Sequence, residues 1–194
     1  EMILRKNYLM VLGALAFAGC ADDHDHDEPT PTDAGPTVPG VTLPSQVSCE
    51  GDVCRVVAPA NDPIIEDVTF TADKRWLLQG GVFIGNDTDE TVLTVEPGTT
   101  IYGETATKAF LVIRRESKIE ANGTKDAPIV MTSSKEAGQR ARGDWGGLVI
   151  NGKATINTCP ADASGACTAE GEGGTGAYGG DDDTDNSGTL RYVR

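Results

Sequence analysis

The apolar residues of this chain fall in short runs rather than long ones. Between Thr91 and Ile150 four such runs recur: Val92-Leu93-Thr94-Val95, Phe110-Leu111-Val112-Ile113, Ile129-Val130-Met131-Thr132 and Leu148-Val149-Ile150. Each begins about 18 or 19 residues after the one before, a fixed period of the size that marks a solenoid. A second series keeps the same step, from Thr100-Ile101-Tyr102 to Lys118-Ile119-Glu120. Within the runs, alternation points Leu93 and Val95, Leu111 and Ile113, and Ile119 and Ala121 to one side. Turn chemistry separates them, as at Glu96-Pro97-Gly98 and Asn122-Gly123.

No segment keeps a 3.6-residue rhythm long enough for a helical repeat. A hairpin meander would place its turns every 8–12 residues. The expected fold is all-β, a right-handed parallel β-helix with equivalent strands stacked about 4.8 Å apart. A β-sandwich is the alternative. Weaker alternation over residues 48–75 is read as an N-terminal cap, because an uncapped rung exposes a strand edge. Residues 76–194 are read as the coils. The chain ends inside a strand-like run, Leu190-Arg191-Tyr192-Val193-Arg194, and further coils are expected after it.

The start of the chain follows different rules. It opens on Glu1, with Met2 read as the initiator. Arg5 and Lys6 precede an apolar stretch, Leu9 to Ala18, of about ten residues, against roughly 20 for a bilayer span. Residues 1–19 therefore read as a signal peptide. It ends Phe17-Ala18-Gly19-Cys20, which resembles the bacterial lipobox with Phe in place of the usual Leu. The resemblance implies lipidation of Cys20, and so a membrane anchor. Residues 20–47 are rich in Asp, Pro, Thr and Gly and cannot bury enough apolar surface to offset their ordering entropy. They read as a disordered spacer, stiffened by proline. Within it, His24 and His26 lie among carboxylates, a loose transition-metal ligand set or simply a solvated acidic stretch. The protein is expected to be exported and held at the cell envelope, at the outer membrane or cell surface.

Composition sharpens this picture in two ways. The formal net charge is −14. Such a surface repels phosphate backbones and argues against nucleic acid as a partner. The five cysteines leave one over once pairs are drawn, and Cys20 is that one. Cys49 with Cys54 and Cys159 with Cys167 read as local disulfides of an exported protein. The only histidines are in the spacer, so histidine-based chemistry in the folded part is excluded.

Four motifs occur in order: Leu93-Thr94-Val95-Glu96-Pro97-Gly98-Thr99-Thr100-Ile101, Ala127-Pro128-Ile129-Val130-Met131-Thr132, Gly143-Asp144-Trp145-Gly146-Gly147-Leu148-Val149-Ile150-Asn151-Gly152, and Asp185-Asn186-Ser187-Gly188-Thr189-Leu190-Arg191-Tyr192-Val193. From Trp76 onward the chain thereby resembles a family of exported parallel β-helix proteins of Bacteroidetes and myxobacteria, many of them lipoproteins. The resemblance implies fold and export. It implies no activity, because the family has none settled. The transporter label some members carry is rejected, since the sequence has no span beyond its leader.

Two loops carry candidate chemistry. Asp144 and Trp145 sit among glycines, where an indole can stack on a sugar ring or pack over the coil. In the Gly- and Asp-rich stretch from Glu170 to Gly188, Asp183, Asp185 and Ser187 place oxygen donors at alternate positions before Gly188. That is the first half of a Ca²⁺ loop. Its twelfth position is Arg194 where a bidentate Glu is needed, leaving Asp181 or Asp182 to supply the carboxylate. The leading functional reading is a β-helix scaffold for binding, structural or adhesive work toward glycans or surface proteins. The alternative is a carbohydrate-active enzyme, a polysaccharide lyase or hydrolase, built on Asp144, Asp181, Asp183 and Arg191.

Overall fold

A computed structural model describes residues 42–159 and 167–194. The leader, Cys20, and the histidines of the spacer lie outside the described residues. The expected parallel β-helix is the fold, with three faces per coil and no α-helix among the described residues.

The first coil takes β2 (Val53–Val56) on the first face, an isolated bridge from Ile64 to Ile84 on the second, and β3 (Val68–Phe70) on the third. The second coil takes β4 (Arg75–Leu78), β5 (Gly81–Ile84) and β6 (Val92–Val95). The third takes β7 (Thr100–Gly103), β8 (Phe110–Ile113) and β9 (Lys118–Asn122). The fourth takes β10 (Val130–Ser133), β11 (Gly147–Ile150) and, after a long excursion, β14 (Gly188–Arg191). That excursion holds a small antiparallel pair, β12 (Ala169–Glu170) with β13 (Ala177–Tyr178). One further strand, β1 (Val47–Glu50), lies antiparallel along β2 and covers the lower edge of the first face. Regular stacking thus begins before Trp76: β2 and β3, inside the stretch read as a cap, already pair in parallel with β4 and β6.

The coil repeat is longer than the sequence period. Arg75 pairs with Thr100, Leu93 with Ile119 and Gly81 with Phe110. These pairs put one coil at roughly 25 to 30 residues, well inside the range of solenoid repeats. The four runs that set the shorter period do not stack on one another in succession. They are β6 on the third face, β8 on the second, β10 on the first and β11 on the second. The first two steps, β6 to β8 and β8 to β10, span two strands with their corners, two-thirds of a turn. The last, β10 to β11, crosses a single corner, and the long stretch 134–146 makes up in residues what that step lacks in strands. The second series, β7 to β9, has the origin of the first two steps.

The inward positions come out as alternation predicts. Leu93, Leu111, Ile113, Ile119 and Ala121 are fully buried and Val95 nearly so. The second face is apolar on both sides: Val112 and Phe83, which alternate outward, are buried as well. The lower core is organised by Trp76, whose ring stacks on Phe70 at 4.1 Å between centroids and 10° between planes. Its indole Nε1 donates to the Thr71 carbonyl at 3.0 Å, so burial leaves no unpaired donor. Replacing Trp76 by Ala is expected to cost about 3–5 kcal/mol of unfolding free energy, read by urea titration. A loss below about 1 kcal/mol would show that the stack does not organise this end.

Candidate binding groove on the first face

An open groove lies on the outer side of the first face. Alternation along β2, β4 and β7 turns Cys54, Val56, Trp76, Leu78 and Ile101 inward and their neighbours outward. In-register parallel pairing then aligns the outward residues between coils. Arg55, Leu77 and Tyr102 form one column and Val53, Arg75 and Thr100 the next. Successive members of a column are about 4.8 Å apart. Between these columns lies a cavity of about 260 Å³, lined by Val53, Arg55, Arg75, Leu77, Tyr102 and Ser134. The Arg75 guanidinium lies 5.1 Å from the Tyr102 ring centre, and that of Arg140 lies 5.9 Å from it. These are cation–π distances. No carboxylate lines the groove. Among the described residues Arg55, Arg75 and Arg140 are in no ion pair. A protein of net charge −14 thus keeps a concave surface lined by the guanidiniums of Arg55 and Arg75, with that of Arg140 beside Tyr102, and none of the three is paired with a carboxylate. Planar, weakly hydrated guanidinium is the side chain best matched to carboxylates and other oxyanions.

Arg140 and Ser134 come from an insertion. Residues 134–146 replace the short corner between β10 and β11, so that Gly147 stacks on Phe110 across a longer stretch of chain than the lower coils use. Asp144 and Trp145 close this insertion, and the structure gives both packing roles. Trp145 lies over Gly103, where a Cβ would stand 2.5 Å from its Cε3 atom, and packs against the core. Asp144 is only 5 % exposed. Its Oδ2 accepts from the Ser133 hydroxyl at 2.9 Å and the Ala141 amide at 2.8 Å, and its Oδ1 from Lys135 Nζ at 2.7 Å. The Asp144 carboxylate is buried and fully engaged, while the Trp145 ring is half-buried with one side over Gly103. The hydrogen bond from Lys135, then those from the Ala141 amide and Ser133, hold the Asp144 carboxyl well below the usual range, at about 2.

The acidic stretch near the end of the second insertion is also accounted for by hydrogen bonds. Asp185 Oδ2 accepts from the Lys153 amide at 3.0 Å and from the Ser187 hydroxyl at 3.2 Å. Asp183 Oδ1 accepts from the Thr155 amide at 2.9 Å, and that amide, with the Thr155 hydroxyl, lowers the Asp183 pKa. Asp182 Oδ1 accepts from the Thr184 hydroxyl at 2.7 Å and amide at 2.9 Å, which lowers its pKa. Asp181 is exposed. These carboxylates clasp segment 153–155 or their own turn rather than facing a common centre. Among the described residues no three His, Cys, Asp or Glu side chains gather as a metal ion requires. The proposed catalytic set is likewise dispersed. Asp144 belongs to the first insertion, Asp181 and Asp183 to the second, and Arg191 lies exposed on β14 of the third face.

The disulfides join the expected partners. Cys49 and Cys54 are cross-strand neighbours in the β1–β2 hairpin, and Cys159 bonds to Cys167 in the second insertion. The groove residues Arg55, Arg75, Tyr102 and Arg140 were not singled out by sequence. The signal they carry is outward charge and aromaticity inside three strands, but only the longer coil repeat puts those positions in columns.

A family model described as a pectate-lyase like beta helix domain matches residues 62–194. The chain belongs to this family. No curated protein and no solved structure matches it. The match takes in β3 to β14 of this pectate-lyase-like β-helix and stops short of the β1–β2 hairpin. No helix long and apolar enough to cross a membrane occurs among the described residues.

The Asp144 clip carries a pH signature. Its folded pKa lies below the ordinary value of about 3.9, so its stabilising contribution is complete above pH 4. It is lost as the pH falls toward 2, because the unfolded chain takes up the proton first. Wild type should therefore lose more stability between pH 4 and pH 2 than Asp144→Asn does, measured by thermal melts across that range. Parallel acid profiles for the two proteins would remove Asp144 from this role.

Proposed function

We propose that this protein is an exported, lipid-tethered β-helix that binds acidic glycans in its first-face groove. The observation that carries the reading is the groove itself: it is lined by the guanidiniums of Arg55 and Arg75, with that of Arg140 beside Tyr102, all free of carboxylate partners, next to apolar walls on a strongly acidic protein. The family description points to the same ligand class, since pectate is a polymer of sugar carboxylates. A polyuronate lying along the columns meets cations from successive coils, and each carboxylate can accept a charge-assisted pair from arginine. Binding is favoured over hydrolysis because a glycosidase needs two carboxyl groups flanking the bond, and this groove has none. The leader and Cys20 support the anchoring half of the proposal, which would present the groove at the cell envelope.

Two outcomes are expected. The full chain should bind fluorescein-labelled polygalacturonate and ignore neutral dextran, and Arg75→Ala should weaken binding by about tenfold, roughly 1.4 kcal/mol. Equal affinity for dextran, or no change on removing Arg75, would sink the glycan reading. Mass spectrometry of the mature protein from its native host should find an acylated Cys20 at the N-terminus. A free thiol at that position would end the lipid anchor.

A further inference from the structure

The guanidinium of Arg140, beside Tyr102 at the groove, does not come from a strand. On the first face the outward residues of β10 are Val130 and Thr132, neither of them charged. Arg140 reaches Tyr102 instead from the insertion 134–146, which is exposed along most of its length and contains no strand. An exposed loop delivers a side chain to a fixed point only if something buried holds the loop.

The buried hold is Asp144. Its two oxygens take donors from three places: the Ser133 hydroxyl on β10, the Lys135 ammonium at the start of the insertion and the Ala141 amide beyond Arg140. Lys135 is tied in turn to both neighbours. Its amide donates to Ser133 Oγ at 3.1 Å, and its carbonyl accepts from Arg140 Nε at 2.9 Å. Lys108 Nζ adds an outer tie to the Gly143 carbonyl at 2.8 Å. The two residues that bracket Arg140 in this network, Lys135 and Ala141, are both fastened to one carboxylate. A carboxylate suits the place because it accepts from all three donors at once, whereas an amide would turn an N–H toward one of them.

We propose that Asp144 is a positioning residue for the groove: it folds the first insertion so that Arg140 stands beside Tyr102 and completes the anion-binding surface. This rests on the reading of the groove as an acidic-glycan site. Asp144 itself touches no ligand in this arrangement. It acts through Arg140.

The test is a double-mutant cycle on the full chain, with affinity for fluorescein-labelled polygalacturonate read by anisotropy. Arg140→Ala should weaken binding by about fivefold, the value of one exposed charge contact. Asp144→Asn should weaken it by a similar factor, and the double variant should be no weaker than Arg140→Ala alone. Asp144→Asn acting with equal force in both backgrounds would overturn the positioning role. Should Asp144→Asn fail to fold, Ser133→Ala removes one of the three donors, with a loss of about twofold expected that again vanishes without Arg140. A Ser133→Ala effect that survives in the Arg140→Ala background overturns the role equally. Loss of binding in Arg75→Ala with no change in Arg140→Ala defeats the positioning role and leaves the groove standing. No change in Arg75→Ala defeats the groove reading and the positioning role with it.

Discussion

Parallel pairing between coils is the constraint on which the rest of this molecule depends. A strand inside the stack finds its hydrogen-bond partners one coil below and one coil above, and the side chain above an inward residue is another inward residue. Because side chains alternate, a slip of one position would turn every core residue of a coil to water. Register is therefore set by the whole column and not by any single pair. The first face shows the result: Cys54, Trp76, Ile101 and Met131 follow one another on the inside, while Arg55, Leu77, Tyr102 and Thr132 do so on the outside. The same pairing that builds the core lines up the groove, so the surface drawn from Val53 to Tyr102 needs no separate organising device along the strands.

Where the repeat is interrupted, other forces take over. The corner of the fourth coil between β10 and β11 expands into the first insertion, and the stretch between β11 and β14 into the second. In both, carboxylates accept backbone amides that no strand satisfies. Asp144 does this for Ala141, Asp183 for Thr155 and Asp185 for Lys153. Short acidic side chains suit the task because they reach nearby amides without ordering a long side chain. An acidic composition therefore serves loop architecture here as well as solubility.

This use of carboxylates also gives the oxygen-donor pattern of Asp183, Asp185 and Ser187 a second reading beside a calcium loop. Alternate oxygen donors followed by glycine are what a cation loop needs. They are equally what a chain needs to bind its own amides. The two uses differ only in where the oxygens point, which is decided by segment 153–155 lying against them. Trp145 presents the same ambiguity. Glycines around an indole suit a sugar platform and suit close packing, and the bare Cα of Gly103 beneath the ring decides for packing.

The sequence by itself determined the class of fold, the inward residues of the strands and the two disulfide pairs. These rest on local properties: side-chain alternation, turn residues, and cysteines close along the chain. It did not determine which strands are neighbours. An apolar run carries no mark of its face, and two-thirds of a coil, or one corner lengthened by the stretch 134–146, has nearly the same number of residues, so the shorter step passed for the stacking period. Only the closed coil, with three strands and the corners between them, sets the true repeat, in which Arg75 meets Thr100 and Gly81 meets Phe110. Arg55, Arg75 and Tyr102 come together as a consequence of that closure, and Arg140 joins them from an insertion, across distances in sequence that no local pattern encodes.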